Sequence, residues 1–97
     1  MTNEQFDTIL ENKETKIVIL STSWCPPCKI LSKTVEKIKK ENSDFEDKII
    51  KVDIDEDATL AERFSVQSIP TLLFIKDGKM EMKKGNQAES VLVKWFD

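Results

Sequence analysis

A chain of 97 residues, 39% hydrophobic and 34% charged, is long enough for one cored domain over residues 1–97 and too apolar to be a disordered segment. Its 18 acidic and 15 basic residues, net −3, are interleaved, which leaves no basic face for nucleic acid. No run approaches the ~18 apolar residues of a membrane helix, and the polar, acidic start MTNEQFDTILENKET lacks the pattern of a signal peptide, so the chain reads as cytoplasmic.

The first predicted element is a helix. Thr2 is placed to cap it, Gln5 to close a capping box, and Phe6, Ile9 and Leu10 fall on one face. KIVIL at 16–20 is a nearly unbroken apolar run rich in β-branched residues, which predicts a central strand buried on both faces. After WCPPCK at 24–29 comes a helical pattern with Leu31, Val35 and Ile38 inward and lysines and glutamates outward. Pro26 and Pro27 suit its first turn, where amide hydrogens have no intrahelical partner. A polar loop spans 42–47. IIKVDID at 49–55 follows as a strand, with Ile50, Val52 and Ile54 alternating against Lys51, Asp53 and Asp55.

Residues 56–64 predict a short helix burying Leu60, Ala61 and Phe64, and TLLFI at 71–75 another apolar strand. Asp77-Gly78 is a hairpin turn signal. KMEMK at 79–83 alternates methionine with charge as a half-buried edge strand. Asn86 is placed to cap a last helix with Glu89 three residues on and Ala88, Val91, Leu92, Trp95 and Phe96 as its inner stripe. The order αβαβαββα predicts an α/β fold: a parallel crossover followed by an antiparallel hairpin, giving a four-stranded mixed sheet flanked by helices on both faces.

The chemistry concentrates in the only two cysteines, Cys25 and Cys28. A disulfide closing so short a loop adds little stability, and in a cytoplasmic chain CxxC points to redox exchange or metal binding. Zinc wants four ligands, and with no histidine a complete site would need a dimer or carboxylates. Haem attachment fails because residue 29 is lysine, and an inert buried pair is the plain structural alternative. Redox exchange is favoured because Cys25 falls where a strand gives way to a helix. There the helix dipole and free amides stabilise a thiolate, the attacking species in disulfide exchange. Cys28 lies one turn further on, placed to resolve the mixed disulfide, and Cys25 is expected to be the more exposed of the two.

WCPPCK, together with KVDID at 51–55, SIPTLLFIKDGK at 68–79 and Gly85, resembles the thioredoxin family over residues 3–97, in order and at family spacing. The resemblance implies a thioredoxin fold whose usual first strand is missing here. It also implies a cis bond before Pro70 that sets Ile69 beside Cys25. Trp24, Pro26, Pro27, Ile69, Pro70 and Gly85 are the implied substrate-binding residues. Two departures stand out. Pro26 replaces the family's glycine, removing an amide hydrogen and stiffening the turn. Ile19 stands where the family has a buried aspartate thought to take the proton from the resolving cysteine, which leaves Lys51 as the nearest candidate for proton-transfer support.

The resulting expectation is a protein disulfide reductase cycling through the Cys25/Cys28 dithiol, without a cofactor or metal. It would act as a monomer on disulfide-containing proteins, away from membranes, and be recycled by a thioredoxin-reductase-like donor. Two alternatives remain open. One is a glutathione-dependent, glutaredoxin-like reductase, which the proline after Cys25 favours slightly. The other is a non-catalytic interaction module on the same scaffold, since fold alone does not dictate function.

Overall fold

In the computed structural model, which describes residues 1–97, the chain begins as its capping signals dictate. Thr2 accepts a hydrogen bond from the Gln5 amide, and the Gln5 side chain accepts one from the Thr2 amide. Helix α1 (Asn3–Glu11) follows, burying Phe6 and Ile9. Next come β1 (Lys16–Ser21) and α2 (Pro26–Glu41). A single 3-10 turn at Ser43–Phe45, capped by the Asn42 side chain, lies within the expected polar loop and leads to β2 (Ile49–Asp53). Then follow α3 (Thr59–Arg63), β3 (Thr71–Lys76), β4 (Lys79–Lys84) and α4 (Glu89–Lys94).

The four strands form one sheet in the order β2-β1-β3-β4. β1 runs parallel to β2 and antiparallel to β3, and β3 pairs antiparallel with β4. This is the expected mixed α/β sheet, and the crossover through α2 explains its one parallel pair. The hairpin turn has positive φ at both Asp77 (53°) and Gly78 (76°), the backbone twist that two-residue hairpins demand.

Two cores lie on opposite faces of the sheet. Ile17, Ile19, Ile49, Leu72 and Phe74 pack with Leu31, Val35 and Ile38 of α2 and Leu92 of α4. Val18, Leu20, Val52, Leu73 and Ile75 pack with Phe6 and Ile9 of α1 and Leu60 of α3. Full burial of each such side chain stabilises by roughly 1.5–3 kcal/mol. Ile17 to Leu20 are therefore four consecutive anchors that fix β1, the strand that delivers the cysteine loop.

Three expectations need correction. β2 ends at Asp53 rather than 55, because the Asp53 carbonyl turns to accept the amides of Glu56 and Asp57. Its most deeply buried residue is Ile49, on the face opposite Ile50 and Val52. Helix α4 starts at Glu89, after an uncapped Ala88 in extended conformation, so neither Asn86 nor Ala88 plays its expected part. A tertiary bond explains the delay: the Gly85 amide donates to the Pro70 carbonyl at 2.8 Å, and the Gln87 side chain reaches back to the carbonyls of Lys84 and Gly85. The chain stays extended until those ties are behind it.

Candidate active site

β1 ends at Ser21, and Thr22, Ser23 and Trp24 lead to Cys25, the N-cap of α2 (φ −80°, ψ 121°). Pro26 and Pro27 take the first two helical positions, where the missing amide hydrogens leave no bond unmade. Helix starts usually carry a serine, threonine or aspartate cap. Here a sulfur holds that place and makes no cap hydrogen bond, and with prolines at the first two positions the Cys28 amide is the one N–H left free in the first turn. α2 is 16 residues long, and its first turn is tied by the Lys29 amide to the Cys25 carbonyl at 3.0 Å.

Both cysteines are reduced thiols. Cys25 is 5% exposed and Cys28 4%, so both are buried and Cys25 is the more exposed by only a narrow margin. Cover for Cys25 comes from a distant part of the chain: the Ile69 carbonyl oxygen lies 3.9 Å from its sulfur, just before a cis Ile69–Pro70 bond. What separates the two thiols is their surroundings. Burial pushes the Cys28 thiol above its ordinary value of 9.0, and a hydrogen bond with Cys25 pushes it further, while Thr22 opposes through its backbone and its hydroxyl. Cys28 therefore keeps its proton at neutral pH.

Around the pair, Trp24 (64% exposed), Pro26 and Pro27 form an exposed apolar rim, with Ile69 and Gly85 half-buried at its far side. Pro70 is buried, so it shapes the rim from beneath rather than lining it. The Trp24 indole N–H donates to Asp55 Oδ2 at 2.7 Å, which holds an otherwise exposed ring in place. Gly85 has φ +81°, and a Cβ there would meet no atom within 4 Å, so its backbone conformation and not space favours glycine.

Ile30, 61% exposed one turn into α2, extends the rim and escaped the sequence reading. Its signal was an apolar residue off the Leu31–Val35–Ile38 stripe, on the same side as the prolines.

Behind Cys28 opens a cleft of about 330 Å³ lined by Ser21, Thr22, Ser23, Cys28, Lys29, Ser32, Lys51 and Asp53. Lys51 donates to the Ser32 hydroxyl across it. Lys51 thus shares a cleft with Cys28, as its candidacy required, and Thr22, Ser32 and Asp53 are additions that sequence reasoning did not find. Ile19 lies 1% exposed in the α2-side core. The largest cleft of the molecule, about 900 Å³ between α1 and β2, contains neither cysteine.

A thioredoxin family model matches residues 1–97. The chain is similar to thioredoxin of Mycoplasmoides gallisepticum, 33% identical over 80 residues, which are 82% of this chain and 78% of that one. Thioredoxin of Rickettsia typhi is 34% identical over 90 residues, 92% of this chain and 85% of that one. Among solved structures, thioredoxin from Trypanosoma brucei brucei matches with a TM-score of 0.75 at 28% identity, covering 98% of this chain and 82% of that one.

Proposed function

The chain belongs to the thioredoxin family and is a thiol–disulfide oxidoreductase, and on that premise we propose that Cys25 attacks and Cys28 resolves. The observation that carries this division is the placing of the two sulfurs. Cys25 holds the cap position at the N-terminus of α2, while Cys28 is buried one turn inside with its proton held. The Cys25 thiolate attacks one sulfur of a substrate disulfide, forming a mixed disulfide and releasing the other sulfur as a thiolate. Cys28, once deprotonated, attacks the Cys25 sulfur. The Cys25–Cys28 bond forms, the bond to the substrate breaks, and two electrons have passed to the substrate.

Trp24, Pro26, Pro27, Ile30, Ile69 and Gly85 form the docking rim in this reading, with Pro70 setting its shape from below. An apolar rim around a backbone carbonyl suits an extended protein segment more than a small charged thiol, which supports protein disulfides as substrates. The reading further includes a monomer at work in the cytoplasm, re-reduced by a thioredoxin-reductase-like donor.

The direct test is trapping. A Cys28→Ser variant incubated with cell extract should accumulate mixed disulfides through Cys25, and Cys25→Ser should accumulate none. Insulin reduction should be present in the wild type and absent from both variants. If Cys25→Ser traps targets as well as Cys28→Ser does, the roles are assigned wrongly.

A further inference from the structure

Cys28 must lose a proton before it can attack, and its surroundings hold that proton firmly. Ile19, packed among Leu31, Leu72 and their neighbours, offers no base at the position where the family carries an aspartate. The groups that border Cys28 instead are those of the polar cleft. Its charged members are Lys29 from α2 and Lys51 and Asp53 from β2, and Cys25 is the other titratable neighbour. Asp53 is the cleft's one carboxylate and already accepts the Asp55 amide at 2.9 Å.

Two buried side-chain oxygens in the molecule have no hydrogen bond, Glu89 Oε1 and Thr22 Oγ1. Glu89 Oε1 lies 3.2 Å from the Lys37 ammonium and is compensated by charge. Thr22, 6% exposed, has no such compensation. A buried hydroxyl without a partner is unfavourable and uncommon. It is accounted for if its partner is the Cys28 sulfur, which lines the same cleft, and the bond is completed as that thiol ionises.

We propose that Thr22 is a positioning residue for the resolving step: its hydroxyl donates a hydrogen bond to the Cys28 sulfur as that thiol ionises, and the proton leaves through the cleft past Asp53 and Lys51 to solvent. This rests on the reading of Cys28 as the resolving thiol. The Cys28 S–H bond breaks and its proton passes to water or the Asp53 carboxylate. The Cys28–Cys25 bond forms as the Cys25–substrate bond breaks, and the departing substrate thiolate takes a proton from solvent. Thr22 is restored unchanged.

The test uses the full chain, reduced, and 5,5′-dithiobis(2-nitrobenzoate) in rapid mixing. Attack by Cys25 releases a first coloured thiolate, and resolution by Cys28 releases a second. Thr22→Val keeps the shape and removes the hydroxyl. Its second phase is expected to slow about tenfold near neutral pH, the lower end of what a hydrogen bond to a charged group is worth. The rise of that rate with pH is expected to move about one unit higher, with the first phase unchanged and Thr22→Ser restoring both. An unchanged second phase and pH profile in Thr22→Val overturns the proposal. So does an equal slowing of both phases with a fall in urea stability, because Thr22 would then be merely structural. The underlying reading fails separately, if Cys28→Ser still releases the second thiolate.

Discussion

Ile19 stands where the resemblance to the family implies a buried aspartate. It is 1% exposed, on the face of β1 that packs against α2, and works as packing. Ile19→Val should cost about 1 kcal/mol in urea denaturation, the usual effect of one buried methylene, and leave the kinetics of thiol release unchanged. Ile19→Asp should cost about 2 kcal/mol or more, since a carboxyl among leucine and isoleucine has no partner to offset its desolvation. Cys28 yields a second expectation at this scale. Its folded-state value lies above 9.0, chiefly through burial. Below that value folded and unfolded chains both hold the proton, and its contribution to stability is constant. Above it the unfolded chain releases the proton first, so stability falls as pH rises toward the folded value. The slope is at most about 1.4 kcal/mol per pH unit for one proton. Urea melts of the reduced protein from about pH 8 to 10.5 should show this decline, and reduced Cys28→Ser should lack the part due to Cys28.

At the scale of elements, the hairpin makes the clearest demand on one residue. Gly78 has φ +76°, and a Cβ there would stand 3.3 Å from the Leu10 carbonyl of α1. Gly78→Ala should therefore destabilise by about 1–2 kcal/mol, read as a lowered urea midpoint, with no effect on the cysteines at the other end of β3. That turn was legible in the sequence because its cause is local, and so were the capping box of Thr2 and Gln5, the buried run of β1 and the prolines opening α2. What escaped the sequence depends on contacts between distant residues. Asn86 carries a sound capping signal, but the Gly85–Pro70 bond holds the chain extended past it. Cys25 was expected to be the more exposed cysteine, but Ile69, distant in sequence, covers it almost as fully as Cys28 is covered. The cleft behind Cys28 gathers Thr22, Ser32, Lys51 and Asp53 from a loop, a helix and a strand, so no spacing rule could have assembled it.

For the whole molecule, the question is whether the short last helix belongs to the same cooperative unit as the active site. α4 has six residues and one buried side chain, Leu92, yet that side chain lies in the core shared with Ile19, Leu31 and Val35. Just beyond it Trp95 packs edge-on to Phe74 at 5.3 Å and donates its indole N–H to the Ile75 carbonyl at 3.0 Å. At the surface, Lys37 of α2 bridges Glu41 and Glu89, a contact too exposed to contribute much. Leu92 should therefore matter more than its helix. Leu92→Ala is expected to cost about 3 kcal/mol, within the usual range for leucine removed from a packed core. That is a large share of the roughly 5–15 kcal/mol that holds a domain together. If α4 unfolds with the rest, the urea midpoint falls while the dependence on denaturant is unchanged. A shallower dependence would instead mean that α4 detaches first and leaves the β1–α2 unit, with both cysteines, folded beneath it. Thiol-release kinetics in the absence of urea should match the wild type, because the fold delivers the cysteines through β1 and the first turn of α2, neither of which Leu92 anchors alone.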